Sequence, residues 1–241
     1  MKSILVKYHI YLSILVFLVL FLLTLNWYRY SFDVDGTAYI TIAKQIANGE
    51  WYRSINGLWS PLNCWIAGLF ISMGVDPVLI FKIINAIICC GIISLSGNLI
   101  KRFLNNINLQ TGILLILPLI LLSYVQQQLA GDLLQLFFLL IYISIITSSQ
   151  FFQKPSLNYW CAITMALAYL AKSYSLPFFV VCHLCIYFLY YLRNRNDLRF
   201  AEIIKPVFST YAIFFLLISP WVYCLYLKYH HFTFSTAGTL N

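Results

Sequence analysis

The stretch Phe32-Asp33-Val34-Asp35-Gly36-Thr37-Ala38-Tyr39 sets two carboxylates two residues apart, just beyond a long apolar run. Two such groups can share a hard divalent cation, Mg²⁺ or Mn²⁺, which prefers oxygen ligands. Alternatively, one of them can take a proton from an attacking hydroxyl. Asp35 also suits the N-cap of a following helix, a structural role for the same carboxylate. A third acid, Asp132, ends Gln126-Gln127-Gln128-Leu129-Ala130-Gly131-Asp132, between two more apolar runs. A carboxylate at the bilayer centre costs about 2.5–3.5 kcal/mol on insertion scales, so Asp132 belongs near an interface. There it serves either as a helix cap or as a partner of Asp33 and Asp35.

Lys172 lies in Tyr169-Leu170-Ala171-Lys172-Ser173-Tyr174-Ser175. A cation among hydroxyls, Tyr174 included, suits a phosphate group, and it equally suits snorkelling to an interface. Arg53 and Lys228 are further phosphate candidates, with a solvated loop charge as the plainer reading. His230-His231 could contact a substrate or simply be solvated. Trp51, Tyr52 and Trp59 can stack on a sugar ring or form part of an aromatic belt. Cys182-His183-Leu184-Cys185 has C-x-x-C spacing, but it falls mid-helix and lacks the further ligands a zinc site needs. Most of the seven cysteines sit inside apolar runs, where a thiol acts as a small apolar group, and no disulfide framework is implied. The chain has no Gly-rich phosphate loop, H-E-x-x-H or G-x-S-x-G. An activated sugar or phosphate would therefore arrive on a lipid.

The elements that must position these side chains are membrane helices. Apolar residues make up 62% of the 241 and charged residues 9%, against about 25% charged in soluble domains. Mean hydropathy is +0.84. The apolar runs are continuous, not alternating, which excludes the outer-membrane type of barrel. The expected fold is all-α: a polytopic transmembrane helical bundle of about seven spans, near 8–27, 77–100, 111–126, 133–149, 158–172, 176–192 and 206–227. The first run exceeds the ~7–15 residues of a signal-peptide core and no A-x-A site follows it, so it reads as a retained anchor. No internal repeat or long linker breaks the chain, which reads as one membrane unit over 1–241. The sizeable loop is 28–76. In it Tyr39, Ile42, Ala43, Ile46 and Ala47 recur at helical spacing, predicting an interfacial helix capped by Asp35 and ended by Gly49. Residues 62–74, started by Pro61, predict a second interfacial or re-entrant helix, separated by Asp76-Pro77 from the next span.

With a cytoplasmic N-terminus, nine Lys and Arg fall inside and five outside, with Lys82 inside a span near its outer end. Asp33, Asp35, Glu50, Asp76 and Asp132 then lie on the outer face, and only Asp197 and Glu202 inside. Acids hardly influence insertion, so this asymmetry marks either a working outer face or plain loop solvation. The net charge of +8 is dispersed over several loops and reads as an orientation signal. A nucleic-acid partner is not expected. The closing stretch 232–241 reads as the start of another loop, so the chain is expected to be the N-terminal part of a longer protein.

In their order these motifs resemble the GT-C superfamily of polytopic membrane glycosyltransferases, nearest the bacterial group of protein O-mannosyltransferases and lipid A aminoarabinose transferases. The likeness rests on Asp35-Gly36-Thr37-Ala38-Tyr39 (a D-x-x-x-Y motif), the small-residue stretch from Ala43 to Gly49, Trp59-Ser60-Pro61-Leu62, Asp132, Lys172 and Pro220-Trp221. Gly36 stands where the family often carries a second acid. The resemblance implies a bacterial inner-membrane transferase with its site on the outer, periplasmic face. Its donor would be a polyprenyl-phosphate-linked sugar and its acceptor a lipid, glycan or protein. By that likeness Asp35 is the catalytic acid, with Asp33 and Asp132 near a metal or the acceptor and Lys172 on lipid phosphate. Two other readings stand beside it. A membrane carrier or lipid flippase would carry broken or charged mid-membrane helices and inverted repeats. A non-catalytic scaffold would use Asp35 only as a cap.

Overall fold

The computed structural model describes residues 2–196 and 199–237. Asp197, Leu198 and 238–241, parts of the expected inner loop and closing stretch, lie outside the described residues. All regular structure among the described residues is helical: α1 (Lys2–Leu25), α2 (Val34–Ala47), α3 (Trp51–Ser54), α4 (Leu62–Ile71), α5 (Pro77–Phe103), α6 (Ile107–Gln127), α7 (Asp132–Ile146), α8 (Ser156–Ala171), α9 (Ser175–Asn194) and α10 (Phe200–Tyr229). The all-helical expectation holds. Five helices, α1, α5, α6, α9 and α10, are long and apolar enough to cross a membrane. The other two expected spans, α7 and α8, have 15 and 16 residues, about 22–24 Å at 1.5 Å per residue against a ~30 Å core. Thr147 to Gln150 turn the chain at the end of α7, and Pro155 delays the start of α8. Apolar content alone does not place such stops.

Contacts group the chain into two compact units, one of residues 1–54 and 63–140, the other of 55–62 and 141–241. In the first, α1, α5 and α6 pack on one another. Ile10, Ser13, Phe17 and Phe21 form the buried stripe of α1, and Leu114, Pro118, Leu121 and Val125 that of α6. The opposite face of α1, with Leu12, Leu15, Val19 and Leu22, is exposed, as a lipid-facing surface would be. Pro118 cannot bond the carbonyl of Leu114; the Ser13 hydroxyl of α1 donates to it instead, at 2.6 Å.

The 28–76 loop differs from expectation in two respects. Asp33, not Asp35, is the N-cap of α2, with extended backbone at φ −74° and ψ 168°, and its side chain makes no cap bond. Asp35 lies in the first helical turn. The apolar stripe of α2 is also covered by protein: Tyr39, Ile42, Ala43 and Ile46 are all buried. A Cβ on Gly68 of α4 would meet Ile46 Cγ2 at 2.8 Å and the Ala43 carbonyl oxygen at 3.2 Å. Only glycine allows that approach, which locks α2 onto α4. The second short helix ends at Ile71, with a turn through Gly74. Asp76 then caps α5, accepting from the Leu79 amide at 2.8 Å with Pro77 as first residue.

In the second unit α8, α9 and α10 pack together, with nine residues of α8 buried. Its interior is aromatic. Tyr142 meets Phe179 edge-on at 4.9 Å, and Phe151, Tyr187 and Tyr211 surround the fully buried His183. In α10 the Leu216 carbonyl, denied its partner by Pro220, accepts from Ser219 at 2.8 Å.

Candidate functional site

In the first unit the chain between α6 and α7 is irregular. Gln128 is extended, at φ −122° and ψ 132°, so the carbonyls of Gln126, Gln128 and Leu129 need donors from elsewhere. Three side chains supply them. Lys82 Nζ donates to the Gln126 carbonyl at 2.6 Å and to the Ser31 carbonyl at 2.9 Å. Asn85 Nδ2 donates to the Gln128 carbonyl at 3.0 Å. Asn63 Nδ2 donates to the Leu129 carbonyl at 3.0 Å. All three residues are fully buried. An ammonium at the C-terminus of α6 also complements the negative end of that helix.

The acids gather around this tie. Asp33 Oδ1 accepts from the Leu129 amide at 3.3 Å, which explains why its side chain makes no cap bond at the start of α2. Asp132 opens α7 directly after Gly131, half-buried, where its charge suits the helix N-terminus. Asp35 is exposed. Tyr39 is 2% exposed, and its hydroxyl is hydrogen-bonded to the backbone of Gly131. Burial pushes its phenol far above the usual range, and the charges of Asp132 and Asp35 act in the same direction. Tyr39 therefore stays neutral. Beneath it Cys64 is buried, and its thiol donates weakly to the Tyr39 carbonyl at 3.5 Å. Burial raises the thiol well above its ordinary value, so Cys64 is packing and not a nucleophile. Gly36 has its own reason: a Cβ there would meet Asp33 Oδ1 and Phe32 Cδ2, each at 3.1 Å. A second acid at 36 would crowd the Asp33 carboxylate.

No protein-family model, curated protein or solved structure matches this chain.

The other expected site residues are placed as follows. Arg53, also in the first unit, pairs with Glu50 at 3.1 Å, and its side chain is 74% exposed. Trp59, Lys172 and Tyr174 belong to the second unit. There Lys172 ends α8 with its ammonium 5.6 Å from the centre of the Tyr174 ring. Trp59 follows an Asn56 turn in which the Asn56 side chain accepts from the Leu58 and Trp59 amides. The same unit ties its loops together at this point: Ser60 Oγ accepts from the Ser173 amide, and Tyr229 from the Gly57 amide. The Lys228 ammonium donates to the Ile55 carbonyl. His230, with positive φ, caps α10, and His231 is exposed. Among the described residues, no three His, Cys, Asp or Glu side chains gather as metal ligands. Of the two carboxylates expected to share a cation, Asp33 accepts from the Leu129 amide and Asp35 is exposed.

Lys82, Asn85 and Asn63 are the residues that sequence reasoning passed over. The signal was present. Lys82 and Asn85 are the polar residues of the first half of an apolar span and lie three apart, on one helical face. An ionisable residue inside a span is a functional pointer in its own right.

Proposed function

We propose that this chain is a membrane-embedded transferase that moves a sugar from a polyprenyl-phosphate carrier to an acceptor hydroxyl, with Asp35 as general base. The observation that supports the reading is the buried tie in the first unit: Lys82, Asn85 and Asn63 hold the 126–129 backbone in irregular form, Asp33 accepts from the Leu129 amide, and Asp132 follows directly. An irregular polar segment beside helices of membrane-crossing length suits a reaction whose donor arrives along the bilayer. The resemblance to GT-C enzymes supports the same assignment.

In this reading the acceptor oxygen attacks the anomeric carbon while the bond from that carbon to the lipid phosphate breaks. The electron pair leaves on the phosphate, already a competent leaving group, and the acceptor proton passes to Asp35. Asp33 holds the Leu129 amide and so positions the segment bearing Asp132. Asp132 orients the acceptor or, where the reaction uses a divalent cation, holds it together with Asp35; the ion would neutralise phosphate charge.

The test is sugar transfer by the full-length protein in proteoliposomes, with a panel of radiolabelled polyprenyl-phosphate sugars. Asp35→Asn should lower the rate ~10²–10⁴-fold, the usual contribution of a general base. Asp33→Asn should lower it less. Parental rates in both Asp35→Asn and Asp132→Asn variants would defeat the proposal. Movement of the lipid across the bilayer without transfer would point to a carrier.

A further inference from the structure

We infer that the second unit carries a site for one anionic glycerophospholipid, with an acyl chain between α9 and α10 and the phosphate near Lys205. The groove between these helices encloses about 780 Å³ and is walled by Leu184, Phe188, Val207, Phe208 and Phe215 among others. Along α9 it runs from Val180 to Tyr191, about 16 Å at 1.5 Å per residue. That is half of a ~30 Å hydrocarbon core, the depth of one leaflet. Both helices are long and apolar enough to cross a membrane, so the occupant is a molecule that partitions with hydrocarbon. At Tyr187 and Ile203 the groove adjoins a second pocket of about 480 Å³ with a different lining: Lys205, Ser209, Asn158, Tyr159, Tyr190 and Glu202.

The charge at this end selects the head group. Arg193 and Arg195 close α9, Arg199 precedes α10, and Lys205 lies on its first turns, all exposed. Glu202 is the acid facing the second pocket, and Arg199 lies 3.6 Å from its carboxylate. The balance is cationic, as in basic pockets between membrane helices that hold acidic lipid head groups. A zwitterionic lipid would gain the groove but little from these cations.

The experiment is native mass spectrometry of the full chain, purified in detergent, delipidated and offered equimolar dioleoyl phosphatidylglycerol and dioleoyl phosphatidylcholine. The parent should retain one phosphatidylglycerol, favoured about fivefold for each effective cation. Lys205→Gln should lower that preference by about the same factor, and Leu184→Trp, which fills the groove, should lower retention of both lipids. Leu216→Trp, at a 71% exposed position of α10 outside the groove, should bind as the parent does and control for folding. Equal retention of both lipids by the parent would overturn the assignment. So would undiminished retention by Leu184→Trp, or selective displacement of phosphatidylglycerol by equimolar polyprenyl phosphate.

Discussion

The two units bury polar groups for different ends. In the first, buried donors of side chains bond backbone carbonyls: Lys82, Asn85 and Asn63 bond the 126–129 segment. In the second, buried side chains also bond one another: Tyr187 donates to Asn158 Oδ1 at 2.6 Å, and Tyr142 lies 3.3 Å from His183 Nδ1, while Tyr169 donates to the Phe234 carbonyl. The first arrangement holds a stretch of chain out of helical form at the edge of a bundle, where carboxylates can then be presented. The side-chain pairs of the second join helices that are already regular. A membrane interior tolerates irregular backbone only where protein or water satisfies it. The first unit therefore commits a buried lysine and two buried asparagines to holding irregular backbone.

This contrast can be broken most forcefully at Lys82. Lys82→Met leaves the Ser31 and Gln126 carbonyls without their donor, at about 1–3 kcal/mol for each unsatisfied acceptor. Relief from desolvating an ammonium offsets part of this. Unfolding in mixed detergent–dodecyl sulfate micelles should show a net loss of roughly 3 kcal/mol; a variant as stable as the parent would mean the tie is dispensable. Asn85→Leu removes a single donor and should cost about 1–3 kcal/mol. In a cycle with Lys82→Met the two losses should fall short of additivity, because both hold one segment. Tyr142→Phe should cost least, about 0.6 kcal/mol, the mean for hydrogen bonds between membrane helices. A larger loss there than at Asn85 would reverse the ranking and make the second unit the more polar-dependent.

The helical, membrane-crossing character was legible because lipid demands continuous apolar runs, and 77–100 and 176–192 show it plainly. The ends of α7 and α8 were not legible, since a 15-residue and a 20-residue apolar helix share one local composition. Asp33, Asp35 and Asp132 could be singled out because acids are rare in this chain. Their different uses could not. That the Asp33 side chain leaves the start of α2 uncapped depends on the Leu129 amide, 96 residues away, and no local pattern encodes that partner. Lys82 was visible as an ionisable residue in a span, but its carbonyl partners come from two distant segments that only the fold brings together.

The Ser13 bond to Leu114 has a consequence for biogenesis. Its donor and acceptor are 101 residues apart, so α1 enters the lipid well before the ribosome has made α6. Until then the hydroxyl has only its own helix to bond. When α6 arrives, the carbonyl exposed by Pro118 offers a docking point between the Thr111–His9 and Gln126–Thr24 contacts of the same two helices. The earlier helix thus waits with a label that the third turn of α6 completes, and lateral association in the bilayer gains a defined rotation and depth.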